Sequence, residues 1–133
     1  MRILSLAVFL ALSTAAFANE DAPAPSVEAL ISSAIADIDS HRALVTKVTI
    51  PANFTLPLHY HPSEEFLYVM SGATELRIDG QPIQPLTAGM AATIPAKTVH
   101  TAATLDGPAQ VIVFRIQPNG QPVRIPTEDT HHD

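Results

Sequence analysis

Two histidines separated by one residue, His59-Tyr60-His61, lie on the same face of an extended strand, because side chains alternate with a period of two. Both imidazoles can therefore reach one point, which is how a metal ion is gripped. Pro62 and Ser63 turn the chain, and the run Glu65 to Ser71 reads as a returning strand whose first residue brings a carboxylate back to the same place. A fourth donor stands far downstream at His100, in Ile94-Pro-Ala-Lys-Thr-Val-His100. Three imidazoles and one carboxylate suit Mn, Fe, Co, Ni, Cu or Zn better than an oxygen-loving ion such as Ca. With four protein donors, an ion preferring six-coordination keeps positions open, which suits catalysis or ligand binding better than bracing.

These residues resemble the two motifs of the cupin superfamily. The first runs HxHxxxE, six residues, then Gly, and His59, His61, Glu65 and Gly72 match it position for position. In the second motif Gly89, Pro95 and His100 fit, while Lys97 and Thr104 replace a Gly and an Asn. Asn53 stands where the first motif opens with Gly; Asn tolerates a left-handed backbone, so that turn survives. At Lys97 a positive φ would carry a modest strain cost. The resemblance spans Leu44 to Ile116 and implies an all-β cupin jelly-roll barrel or sandwich.

The resemblance further implies His59, His61, Glu65 and His100 as metal ligands, with iron or manganese the usual ion, although intrinsic affinities favour copper or zinc where supply allows. It implies a second role for Glu65 as a catalytic base that leaves the coordination sphere, and a homodimer, which is also the commonest oligomer in general. Some cupins bind, store or sense without turnover, so fold and metal alone leave both an enzyme and a binding module open.

The elements that position these residues follow from the rest of the chain. At 133 residues it is one domain's worth, and few aromatics with no Trp imply a core of Ile, Val, Leu and Ala. A formal charge of -6, with seven scattered Lys and Arg, argues against a nucleic-acid surface. Residues 1–18 read as a signal peptide: Arg2, the apolar run Ile3 to Leu12, and the small-x-small site Ala16-Phe17-Ala18. The apolar run falls short of the roughly 20 residues a bilayer demands. The mature chain is therefore expected to start at Asn19 free of the membrane, exported, and periplasmic if the host is Gram-negative. No Cys is present to carry a lipid or a disulfide.

Residues 19–42 read as an acidic, Pro-containing tether followed by an α-helix. Val27, Leu30, Ile31, Ala34, Ile35 and Ile38 recur at helical spacing after the candidate N-cap Ser26, with Glu28 in the first turn and His41 near the far end of the dipole. Residues 43–117 form the barrel, with strands expected over Leu44 to Ile50, Leu56 to His61, Glu65 to Ser71, Ala73 to Ile78, Gln81 to Leu86, Met90 to Ile94, Val99 to Thr104 and Ala109 to Ile116. Asp79-Gly80 signals a tight hairpin. Residues 118–133 are a tail that adds at most an edge strand, and its His131 and His132 read as solvated.

Alternation sends Leu67 and Val69 inward with Glu65, and Phe66, Tyr68 and Met70 outward; it brings Thr98 and Ala102 in with His100. The visible lining is apolar, with Glu64, Glu75 and Arg77 directed to solvent, so no second protic group is placed for acid-base work. That favours chemistry resting on the metal: dioxygenase-like oxidation of a small chelating substrate, such as an enol, phenol or thiol. The alternative is a non-catalytic metal- or small-ligand-binding module.

Overall fold

Runs of alternating apolar and polar side chains, short enough to be separated by Pro, Gly and Asp turns, can bury one face each only by pairing into sheets. The computed structural model describes residues 23–127; the expected leader and the terminal His131 and His132 lie outside the described residues. In chain order the strands are β1 (Ser26–Ile35), β2 (Ile38–Ile50), β3 (His59–Tyr60), β4 (Glu65–Ser71), β5 (Ala73–Ile78), β6 (Gln84–Thr87), β7 (Ala91–Ile94), β8 (His100–Ala103), β9 (Ala109–Pro118) and β10 (Ile125–Pro126). They form two five-stranded sheets in the orders β1-β2-β9-β4-β7 and β10-β3-β8-β5-β6, every pairing antiparallel. All eight strands expected between Leu44 and Ile116 are present, several with shorter ends, and the tail supplies the edge strand β10.

The sheets face each other across Leu67, Val69, Leu76, Ile78, Leu86, Ile94, Val111 and Val113. Each such side chain contributes about 1.5–3 kcal/mol on full burial. Strand β4 alternates as expected, with Glu65, Leu67 and Val69 buried and Phe66, Tyr68 and Met70 exposed. Strand β9 alternates over its whole length, burying Ala109, Val111, Val113, Arg115 and Gln117.

The helix expected after Ser26 is not formed: there is no helix among the described residues, and this segment is the edge strand β1, paired with β2. The cause is a β-bulge. Ala29 lies opposite Thr46 and Ile31 opposite Val45, leaving Leu30 as the extra residue. The bulge resets the alternation by one position, so apolar side chains at 27, 30, 31, 34 and 35 imitate a helical stripe while belonging to a strand. Pairing with the thirteen-residue β2 then outweighs local propensity. Glu28 bonds Lys47 across the strands at 2.7 Å instead of capping a helix, and His41 lies within β2 opposite Pro118.

Among the described residues three non-glycines hold positive φ: Asp37 (63°) in the β1–β2 turn, Asn53 (53°) and Lys97 (59°). The two positions where side chains replace motif glycines thus keep the left-handed turn. Thr104, in the place of the motif Asn, braces the first of them: its hydroxyl accepts from the Phe54 N–H at 3.1 Å and donates to the Pro51 carbonyl. Gly72 (φ 73°) is the tightest position, because an added Cβ would lie 2.0 Å from the Pro108 carbonyl oxygen. Gly72→Ala is therefore expected to cost at least about 1–3 kcal/mol. A urea titration of the variant showing an unchanged midpoint would contradict this reading of the β4–β5 turn.

Candidate metal centre

The pairing of β3 with β8 sets His59 directly opposite His100, and His61 follows just beyond β3. The three ring centroids are 4.9 Å (His59–His61), 4.4 Å (His59–His100) and 5.3 Å (His61–His100) apart. One donor atom from each lies within 4.8 Å of the others, and all three side chains are buried. The turn leading to His100 is tied to the upstream ligand strand by the Lys97 N–H, which donates to the His61 carbonyl at 2.8 Å.

Each ring is oriented by a backbone carbonyl at Nδ1: Pro57 for His59 at 2.8 Å, Thr98 for His100 at 2.9 Å, and Val123 for His61. A carbonyl only accepts, so each Nδ1 carries the proton and each Nε2 keeps a lone pair for the interior. Burial, partly offset by the Pro57 hydrogen bond, lowers the pKa of His59 to about 4. Burial likewise lowers that of His100. Both are thus neutral near pH 7, the form a metal requires.

Glu65 enters from the opposite sheet. Its Oε2 lies 3.0 Å from His61 Nε2 and 3.9 Å from His100 Nε2. Burial raises its pKa, but the Arg115 charge beside it opposes this, and the carboxyl is held below its ordinary value. An ionised carboxylate oxygen and an imidazole lone pair 3.0 Å apart repel unless a cation or proton lies between them. The three imidazoles form the group that fits a transition ion, with Glu65 beside His61 at its edge and a backbone carbonyl fixing each ring.

Two charged members of the site were not anticipated. Arg115 is buried, its Nη2 2.5 Å from Glu65 Oε2 and 3.1 Å from His61 Nε2. The signal was present, since alternation through Val111 and Val113 points Arg115 inward. Arg124 was missed for a different reason, because it belongs to the tail. It donates to the Pro57 carbonyl at 2.9 Å, placing a second guanidinium beside His59.

These groups line a cavity of about 500 Å³ whose remaining wall is mostly apolar, including Val48, Leu67, Leu76, Leu86, Val111 and Val113. Ala102 lines it as expected, whereas Thr98 does not and instead contributes its carbonyl to His100. Glu64 is exposed, while Glu75 and Arg77 bond each other at 2.7 Å outside the cavity lining.

The family model for the cupin domain matches residues 46–115. A stretch of 67 residues is 32% identical to dimethylsulfoniopropionate lyase DddQ of Ruegeria pomeroyi; it covers 50% of this chain and 33% of that protein, so the chain spans a third of its relative's length. The crystal structure of DMSP lyase DddQ from Ruegeria pomeroyi superposes with a TM-score of 0.67 at 22% identity, covering 81% of this chain and 54% of that one. A cupin-like protein from Thermotoga maritima gives 0.64 at 22% identity, covering 80% and 79%. These superpositions show the fold.

The lowered imidazole pKa has a consequence for stability. Unfolded histidine titrates near 6.5 and folded His59 near 4, so between these values the unfolded chain binds more protons and stability falls as pH falls. Glu65, lowered from 4.5 to about 2, extends the loss below pH 4.5 in the same direction. Urea titrations of metal-free protein should show stability declining from pH 6.5 to 4, and His59→Gln should flatten that limb. A variant retaining the full slope would remove His59 as its source.

Proposed function

This chain belongs to the cupin family, and on that premise we propose that it is a metal-dependent, dioxygenase-like oxidoreductase acting on a small organic substrate that meets the ion directly. The observation that carries the reading is the convergence of three carbonyl-anchored imidazoles in an apolar cavity whose other charged lining groups, among the described residues, are Glu65, Arg115 and Arg124. Among the described residues no Lys or Tyr lines it. His59, His61 and His100 hold the ion, with Glu65 as the fourth donor. Iron or manganese there would supply Lewis acidity and electron transfer toward dioxygen and a chelating substrate. The apolar wall excludes water from the reacting groups, and Glu65 Oε2, ionised near pH 7, receives a proton released by the substrate.

A second reading, a lyase, draws on the 32% identity to a protein named for cleaving dimethylsulfoniopropionate. Glu65, the one carboxylate lining the cavity among the described residues, would again take the proton. Turnover would then need no oxygen. The expected leader supports export of the mature chain. The outward row Ile31, Val45, Phe114 and Phe66, aligned across four neighbouring strands, offers a surface on which two copies would pair.

Oxygen uptake by the iron-loaded chain, supplied with catechols, flavonols, diketones and thiols, tests the first reading. Steady consumption is expected, abolished in His100→Ala together with most metal binding. Glu65→Gln should retain part of the metal and lose at least about 100-fold in rate. Anaerobic turnover of dimethylsulfoniopropionate would select the lyase, and stoichiometric metal binding with no turnover would select a binding module.

A further inference from the structure

Within that reading of the cavity as a substrate pocket, we propose that it takes an organic anion: a small monocarboxylate with a hydrocarbon body, its carboxylate received by Arg115. Arg115 is 6% exposed, and its partners among the described residues, Glu65 Oε2 and His61 Nε2, both meet the one nitrogen Nη2 and leave the rest of the guanidinium unfilled. Glu65 meets it through one oxygen and one nitrogen, Oε2 to Nη2, rather than by the two parallel bonds a guanidinium and a carboxylate usually form. Its Nε–H is buried without a partner among the described residues. A buried donor left unmade is costly, and a planar two-oxygen group is the partner this edge of the fork fits.

Charge points the same way. Arg115 and Arg124 bring two positive charges to the cavity against the single negative charge of Glu65, and the imidazoles can only add to the excess. The chain as a whole carries -6, so the surplus is local to this pocket. Arg124 is exposed, placing the second cation where an incoming anion is drawn toward the buried one. The wall that remains is mostly hydrocarbon, led by Val48, Leu67, Leu76, Leu86, Val111 and Val113, with the hydroxyls of Thr46 and Thr74 as its polar groups. A hydrocarbon body satisfies it.

The test is calorimetry on the metal-free full chain with hexanoate and benzoate against hexanamide and benzamide. The acids should bind at least about tenfold tighter than the amides, the value of one charge-assisted hydrogen-bonded contact. Arg115→Met should erase the preference. Arg115→Lys, which keeps a charge beside Glu65 but lacks the Nε–H, should reduce it to roughly threefold or less. Arg124→Gln should weaken acid binding several-fold and reduce its salt dependence. Equal binding of acids and amides, no binding of either, or a full preference in Arg115→Lys would overturn the proposal. Because no metal or oxygen enters the measurement, the two readings fail separately. A chain that consumes oxygen but ignores the carboxylate sinks the anion proposal alone, and one that prefers acids without metal-dependent turnover sinks the oxidoreductase alone.

Discussion

Three hydrogen bonds from imidazole Nδ1 to backbone carbonyls constrain everything else at this site. Each fixes a tautomer as well as a ring orientation, so the three Nε2 lone pairs have nowhere to point but inward. Bringing three such acceptors and an ionised carboxylate together is unfavourable for a protein without a cation to share. The fold meets this cost by surrounding them with sheets held by an aliphatic core that also walls the cavity, Leu76 and Ile94 belonging to both.

The carbonyls come from three separate parts of the chain. Pro57 and Thr98 each lie two residues before the histidine they orient, so those anchors are local. Val123 lies 62 residues beyond His61, in the segment leading to β10. Pairing of β10 with β3 thus does more than close a sheet edge, because it delivers the carbonyl that orients one ligand and the guanidinium of Arg124. The final described stretch of chain is part of the site.

How far the sequence discloses this arrangement depends on the range of the interaction. His59, His61, Glu65 and Gly72 are legible because strand alternation and one short turn fix their relation, and His100 because it falls in a second recognisable pattern. The left-handed turns at Asn53 and Lys97 are legible from the same patterns, even with the glycines replaced. The segment after Ser26 misleads because two register shifts, one at Leu30 and one between Ala34 and Ile35, break the period of two into an apparent helical stripe. Arg124 and the Val123 carbonyl are hidden because their place follows from tertiary pairing, on which a Pro-containing tail is silent.

The Glu65–Arg115 contact is the feature least explained by stability. Desolvating two charges costs several kcal/mol each, and well-packed apolar residues of similar volume usually serve a core as well or better, so a buried pair is weak evidence for bracing. Here the pair is also incomplete, with one corner of the guanidinium engaged and Nε unsatisfied, in a strand whose neighbouring inward positions are Val111 and Val113. Continuing that valine row would have closed the cavity with apolar surface. A cation placed there instead keeps Glu65 ionised and leaves donors free beside the imidazoles, which makes sense for a group that must answer to both a ligand and an acid. The same carboxylate is thus held by Arg115 on one side and faces the imidazole lone pairs on the other, an approach that a shared cation or proton makes favourable. Its position between them is set by which positive charge is present.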